Sequence, residues 1–294
     1  MTPRAFEWGA RTFVMGIVNV TPDSFSGDGL LRGESLSDAA VRQAREMVEA
    51  GAQILDIGGE STRPGGAPVG LEEELARVVP AIAAVRAELD VPISVDTYKA
   101  EVARQALAAG ATMVNDVWGL RMDPAMADVI AASGAYVVLM HNRSRPRDAV
   151  QESRLGGRYV GVAYDDLIAD VSRELLESVA LARRAGIADE RIILDPGIGF
   201  GKTVEQNLEL VARFDAFRAL GFPLLAGPSR KSFIGFTLDL PPDQRSEGTA
   251  AVVALCIDRG ADIVRVHDVA LISRVARMTD ALVRRTSRLP TPPG

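Results

Sequence analysis

The stretch RIILDPGIGFGK, residues 191–202, decides the fold. Its apolar run at 192–194 has the length and composition of a strand buried on both faces. Asp195 falls where that strand should end, and Pro196-Gly197 stops regular pairing. Gly199 and Gly201 leave backbone without Cβ, open to close approach, before Lys202 begins a helical pattern. The sequence Gly201-Lys202-Thr203 resembles the close of a phosphate-binding loop. That loop would require glycine at 196, where proline stands, so a nucleotide site is not the reading taken here. A buried strand that ends in a carboxylate, followed by a glycine-rich turn and a helix, is instead one unit of an α/β chain.

Working outward, the same unit recurs. Apolar runs at 13–18, 54–57, 93–95, 113–117, 136–140, 192–194, 224–226 and 263–266 alternate with helical patterns. Those patterns span 37–50, 71–89, 100–108, 124–132, 165–184, 204–220, 245–259 and 269–283, with a long polar segment between 140 and 165. Such alternation predicts parallel strands joined by crossover helices. Eight units suit a closed (β/α)8 barrel of the TIM type, although alternation alone also fits an open doubly wound sheet. Glycines at 51, 110, 134, 186, 221 and 260 stand where helices should stop. A single barrel domain over about 13–283 and a loose proline-rich tail over 284–294 are expected.

Composition narrows the function. The 294 residues include 47% hydrophobic and 24% charged, enough for a large core in a soluble chain. A net charge of −6 argues against broad binding to nucleic acid or anionic membranes. No apolar run reaches membrane-spanning length and the N-terminal residues lack a signal-peptide core, so a cytoplasmic location is expected. One cysteine, Cys256, lies in an alanine-rich helical run and reads as a core thiol; with two histidines there is no zinc cluster.

Polar residues crowd one set of strand ends. Asn19, Asp56, Glu60, Asp96, Asn115, Asp116, His141, Asp195, the run 229–232 and the run 265–268 all follow apolar strands, whereas the loops entering the strands are bland. In a barrel the functional face is the C-terminal one. Singly, Asp56, Asp116 or Asp268 could simply cap a helix or hold a loop amide; the ensemble is harder to explain so. Asp96, Asn115 and Asp195 offer acceptors and an amide to a flat heterocycle bearing amino and ring N–H groups. Arg63, Arg230, Lys231, Arg265 and His267 form an opposite, basic population suited to an anionic substrate. The glycine-rich loops 20–33 and 58–70 are expected to order over that substrate and exclude water.

The strings MGIVNVTPDSFS, LDIGGESTRPG, ISVDT, VNDV, LMH, LDPGIGFGK, SRKS and RVHDV occur in this order over 15–269. Together they resemble the bacterial dihydropteroate synthases. The resemblance implies a TIM barrel that condenses 6-hydroxymethyl-7,8-dihydropterin diphosphate with 4-aminobenzoate, giving 7,8-dihydropteroate and pyrophosphate. It further implies pterin contacts from Asp96, Asn115, Asp195 and Lys231 in a pocket lined by Met140, with Mg2+ at Asn19. Around the diphosphate it implies Thr62, Arg63, Arg265 and His267, and around the aminobenzoate Pro64, Phe200 and Ser232. A dissociative, SN1-like path and a homodimer through late helices such as 245–259 belong to the same expectation.

Two stretches depart from the family's pattern. The first loop reads Ser24-Phe25-Ser26-Gly27-Asp28, which displaces its aspartate by one place to Asp28. Residues 142–147, after His141, are unusually basic. The rival readings are a pterin-binding methyltransferase barrel, which has no use for a diphosphate site, and a silent barrel serving as a subunit. Decay at Asn19, Asp96, Asp195, Lys231 or His267 would mark the silent barrel, and none of these has decayed.

Overall fold

A computed structural model describes residues 6–21, 35–60, 69–145, 148–160 and 162–284. The expected positions Asp28, Thr62, Arg63 and Pro64, most of both glycine-rich loops, and the tail from 285 lie outside the described residues. The first half of the chain runs β1 (Phe13–Asn19), α1 (Leu36–Glu49), β2 (Ile54–Gly58), α2 (Leu71–Glu88), β3 (Ile93–Asp96) and α3 (Ala100–Ala108). Next come β4 (Met113–Asp116), α4 (Met126–Ser133) and β5 (Tyr136–Met140), then a hairpin of β6 (Ala149–Glu152) and β7 (Gly156–Tyr159). The remainder is α5 (Leu167–Arg184), β8 (Ile192–Asp195), α6 (Val204–Ala212), β9 (Leu225–Ala226), α7 (Ser232–Leu238), α8 (Ser246–Asp258), β10 (Ile263–Val266) and α9 (Val269–Val283).

Eight strands pair in the order β8-β5-β4-β3-β2-β1-β10-β9, and every pairing between them is parallel. A parallel bridge between Leu194 and Leu224 joins the two ends, so the sheet closes into a barrel and the open-sheet alternative falls. The closing seam is thin because β9 has only two residues. Local chemistry sets the helix starts. Ser35 and Asp38 form a reciprocal capping box on α1, and Thr203 and Gln206 do the same on α6. The predicted helix-stopping glycines have positive φ, as at Gly110 with φ 115°, a region where a side chain would be strained.

Two apolar layers follow from strand alternation. Leu55, Val95, Val114, Val137, Leu194 and Val264 pack outward with the helices. Phe13, Met15, Ile54, Met113, Tyr136, Val138, Ile193, Leu225 and Ile263 form a separate cluster inside the barrel. Phe6 and Trp8 cover its N-terminal end: their rings stack at 4.8 Å, and Phe6 meets the edges of Phe13 and Tyr136 at 5.1 and 5.2 Å.

Three expectations need correction. The helix expected over 204–220 stops at Ala212, and a 3-10 segment, Phe214–Leu220, replaces its second half. Burying Phe214 and Phe217, three residues apart, suits the tighter three-residue turn. The polar segment after β5 holds the β6–β7 hairpin, whose largely exposed pattern gave no alternation to read. Arg284, assigned to the loose tail, is tied to Asp280 at 2.9 Å and to the Gly9 and Ala261 carbonyls at 2.8 and 2.7 Å.

Candidate active site

The C-terminal mouth of the barrel opens into a cavity of about 620 Å3. Asn19, Asp96, Phe200, Lys231, Ser232, Arg265 and His267 line it, so seven predicted site residues converge on one space. Asn115, Met140 and Asp195 are buried at the strand ends and do not reach that wall. Met140 is paired with Asp195 across β5 and β8, which places these two at the same depth.

Alternation explains why ionised groups share the barrel interior with an apolar floor. Asp56, Asn115, Asp195 and Arg265 stand two residues beyond Ile54, Met113, Ile193 and Ile263, on the same inward-facing rows. The rows therefore change from hydrocarbon to charge within about 7 Å of strand rise.

There the acidic and basic populations read from the sequence prove to be one network. Arg265 Nε donates to Asp56 Oδ2 at 2.5 Å, and its Nη2 donates to Asp96 Oδ2 at 2.6 Å. Asn115 Nδ2 donates to the same Asp56 oxygen at 3.1 Å. Arg265 thus bridges two carboxylates instead of standing apart as a cation for phosphate. Burial pushes Asp96 up to about 7 against the pull of Arg265, with Asp56 adding to the rise. Burial alone would depress Arg265, but Asp56 and Asp96 hold it above its ordinary value.

Asp195 sits opposite this bridge. Its Oδ1 accepts the Gly197 N–H at 2.7 Å, and burial raises its pKa despite Lys231 nearby. Lys231 precedes α7, donates to the Ile198 carbonyl and lies 4.4 Å from the Phe200 ring centre. Burial pushes its ammonium down to about 7, against the attraction of Asp195. His267 meets Ser229 twice: Nδ1 lies 3.0 Å from its Oγ, and the His267 N–H donates to that oxygen at 3.2 Å. Exposed Arg230 lines the cavity with φ 56°, a strained value for a non-glycine residue. Its amide donates to Thr249 Oγ1 at 3.1 Å and its carbonyl accepts from Arg245 at 3.0 Å, holding that conformation.

Asn19 ends β1 on the cavity wall, and no hydrogen bond joins its side chain to another described residue. Among the described residues no cluster of three or more acidic, His or Cys side chains could hold a metal alone. A single amide oxygen still fits Mg2+, which keeps several waters and takes most other ligands from substrate phosphates.

Of the three carboxylates that could have been mere caps, two are. Asp268 accepts the Leu271 amide at the start of α9, and Asp116 accepts the Trp118 and Leu120 amides at 2.8 and 2.7 Å. Asp56 is not, and sequence reasoning undervalued it; its place two residues beyond inward-facing Ile54 was the available signal. The hairpin residues Gln151, Leu155, Gly156 and Gly157 also line the cavity, and no sequence signal singled them out. In the basic segment, Arg143 is spent on Glu174, the Ala163 carbonyl and the Tyr164 ring, so it is neither loose surface nor a free anion site. Cys256 is a buried core thiol, pushed up to about 12 by burial.

Comparison with known proteins agrees with this geometry. Residues 15–267 match the family described as pterin binding enzyme. The dihydropteroate synthase of Bacillus subtilis is 50% identical over 283 residues, covering 96% of this chain and 93% of the relative. A crystal structure of the Clostridium difficile dihydropteroate synthase, determined with pteroic acid, superposes with TM-score 0.86 at 48% identity, covering 95% and 99% of the two chains. That of the Xanthomonas albilineans enzyme with 4-aminobenzoic acid gives 0.83 at 44% identity, covering 95% and 94%. These relatives are synthases, which sets the methyltransferase reading aside. Its eight parallel strands, its charged barrel mouth and these similarities agree: the chain belongs to the pterin-binding enzymes and, within them, to the dihydropteroate synthases.

Proposed function

We propose that the barrel mouth divides its synthase reaction, the condensation of a pterin diphosphate with 4-aminobenzoate, among three groups of residues. The pterin lies over Asp96, Asn115, Asp195 and Lys231, with Met140 beneath. Its amino and ring N–H groups meet the carboxylates, and Lys231 donates to its acceptors. The carrying observation is the Arg265 bridge to Asp56 and Asp96, with Asp195 and Lys231 near enough to act on each other's charge. That supports a ligand plane across the strand ends that meets donors and acceptors side by side. Asp56 Oδ1 is buried with no hydrogen-bond partner among the described residues, which leaves acceptor capacity beside that plane.

The diphosphate is held by His267, with Thr62 and Arg63 from the second loop, and exposed Arg230 adds positive charge. Asn19 would hold Mg2+, which when bound supplies charge neutralisation for the leaving pyrophosphate. Arg265 has a double task here: it pairs with two buried carboxylates and lends positive charge to the same wall. The aminobenzoate ring packs on Phe200, with Ser232 and Pro64 about its carboxylate end.

The bond from the pterin methylene carbon to the diphosphate oxygen breaks, its electron pair leaving with pyrophosphate. Positive charge spreads into the pterin ring, where Asp96 and Asp195 favour it electrostatically. The aminobenzoate nitrogen then forms the C–N bond and loses one proton to solvent. No covalent intermediate with the protein is needed.

Late helices suit a homodimer, because Leu255 on α8 and Met278, Leu282 and Val283 on α9 expose large apolar side chains. No described helix is long and apolar enough to cross a membrane, consistent with a cytoplasmic protein acting on small molecules. Calorimetry with the pterin diphosphate, followed by turnover with 4-aminobenzoate, tests the site. Unchanged pterin affinity in Asp195→Ala or Lys231→Ala removes that residue from it, and light scattering tests the dimer.

A further inference from the structure

The stretch at 191–202 ends in a lysine that the roles above do not use. Lys202 is 2% exposed and is not part of the cavity wall. Its ammonium has three N–H groups, and each has one acceptor: His141 Nδ1 at 3.0 Å, the Gly197 carbonyl at 2.9 Å and the Phe200 carbonyl at 3.1 Å. Among the described residues no carboxylate lies within salt-bridge distance of it. A buried cation without a counter-ion is costly, and its three hydrogen bonds are what offsets that cost. Consistent with that cost, burial pushes Lys202 down to about 7. Its contribution therefore lies in what the three hydrogen bonds hold.

They hold the turn that follows β8. Gly197, Gly199 and Gly201 take φ of 74°, 80° and 57°, so no ladder or helix fixes this backbone. A Cβ at Gly197 would sit 1.9 Å from the His141 carbonyl oxygen, so the turn must press against β5 there. The two carbonyls bound by Lys202 bracket Ile198, whose own carbonyl accepts from Lys231. The Gly197 N–H supports Asp195, and the Phe200 ring lies beside the Lys231 ammonium. Behind Lys202, His141 Nε2 lies 3.1 Å from Glu174 Oε2. Burial, with Lys202 adding to it, pushes His141 down to about 3, so the ring is neutral. A neutral ring that accepts from Lys202 at Nδ1 carries its proton at Nε2 and donates it to Glu174.

We propose that Lys202, aimed by the Glu174–His141 pair, is a positioning residue. It sets the 196–201 turn and thereby the Asp195 carboxylate, the Ile198 carbonyl and the Phe200 ring that place Lys231. This rests on the assignment of Asp195, Lys231 and Phe200 to substrate.

The test measures KM for both substrates, kcat, calorimetric pterin affinity and Tm for Lys202→Met, Glu174→Gln and the control Lys231→Met. Lys202→Met should raise both KM values about tenfold, with a lowered Tm because three buried acceptors lose their donor. Glu174→Gln leaves the turn's sequence intact and should raise both KM values about threefold by freeing the His141 tautomer. Wild-type KM values in Lys202→Met, or a fall in kcat with both KM values unchanged as for a smaller folded fraction, overturn the inference. Should Lys202→Met fail to fold, wild-type KM values in Glu174→Gln overturn it. Unchanged pterin affinity in Lys231→Met would instead break the underlying site assignment, which is a separate failure.

Discussion

The two ends of the same barrel strands follow opposite rules. At the N-terminal floor, Phe13, Ile54, Met113, Tyr136 and Ile263 pack with Phe6 and Trp8 in one apolar cluster. At the C-terminal mouth, the next inward positions on the same strands are Asp56, Asn115 and Arg265, with Asp96 and Asp195 beside them, all buried or nearly so. The floor is held by contact alone, where each lost methylene costs stability and nothing else. The mouth holds buried charges that balance only while every partner is present, and Asp56 Oδ1 lacks a partner even then. A barrel can thus place its stability at one end and its chemistry at the other, because the strands between them transmit position but not charge.

The harshest way to break this contrast is to cut the bridge itself. Arg265→Ala leaves Asp56 and Asp96 buried and unpaired, and should cost about 3–5 kcal/mol in denaturant unfolding together with most of the activity. A loss under about 1 kcal/mol would mean that water already shields the two carboxylates. Phe13→Ala on the floor should cost a similar 3–5 kcal/mol, yet leave calorimetric pterin affinity unchanged in the protein that remains folded. Weakened pterin binding in that variant would show that the two ends are coupled after all.

Asp195→Ala should show the reverse signature. It removes a charged acceptor worth about 1.5–3 kcal/mol to a bound pterin, a loss of tenfold to more than a hundredfold in affinity, while Tm moves little.

The smallest effect concerns pH. Asp96 has its folded pKa raised to about 7 from an ordinary 3.8, chiefly by burial. Above pH 3.8 the unfolded chain gives up this proton while the folded chain keeps it. Its contribution is therefore fully present below that value and is lost as pH rises to about 7. Asp96→Asn should gain stability relative to wild type across that window. Met15→Ala on the floor should show a cost that does not change with pH, and thermal melts of both variants at several pH values would check the pair. A flat difference for Asp96→Asn would mean that Arg265 keeps the carboxylate ionised throughout.

Much of this was legible along the chain because it depends on near neighbours. Apolar runs at 136–140 and 263–266 became strands with those bounds, and 100–108 and 269–283 became helices with theirs. Strand-end polarity located the mouth, and seven of the predicted residues do line one cavity. The hairpin at 149–159 was not legible, since its short exposed strands carry no alternation to distinguish them from a loop.

What one sequence determined by itself was periodicity: eight strand-and-helix units, the parity that faces each side chain in or out, and the acidic, amide and basic residues ending the strands. Tertiary structure alone decided which of those ends meet. Arg265 lies 209 residues from Asp56 and 169 from Asp96, and only closure of the barrel brings β10 round to them. Lys202 and His141, 61 residues apart, likewise meet only because β5 and β8 are neighbours in the sheet. Alternation acts over a few residues and can be read locally. The pairing of buried charges depends on barrel closure, which no local pattern contains.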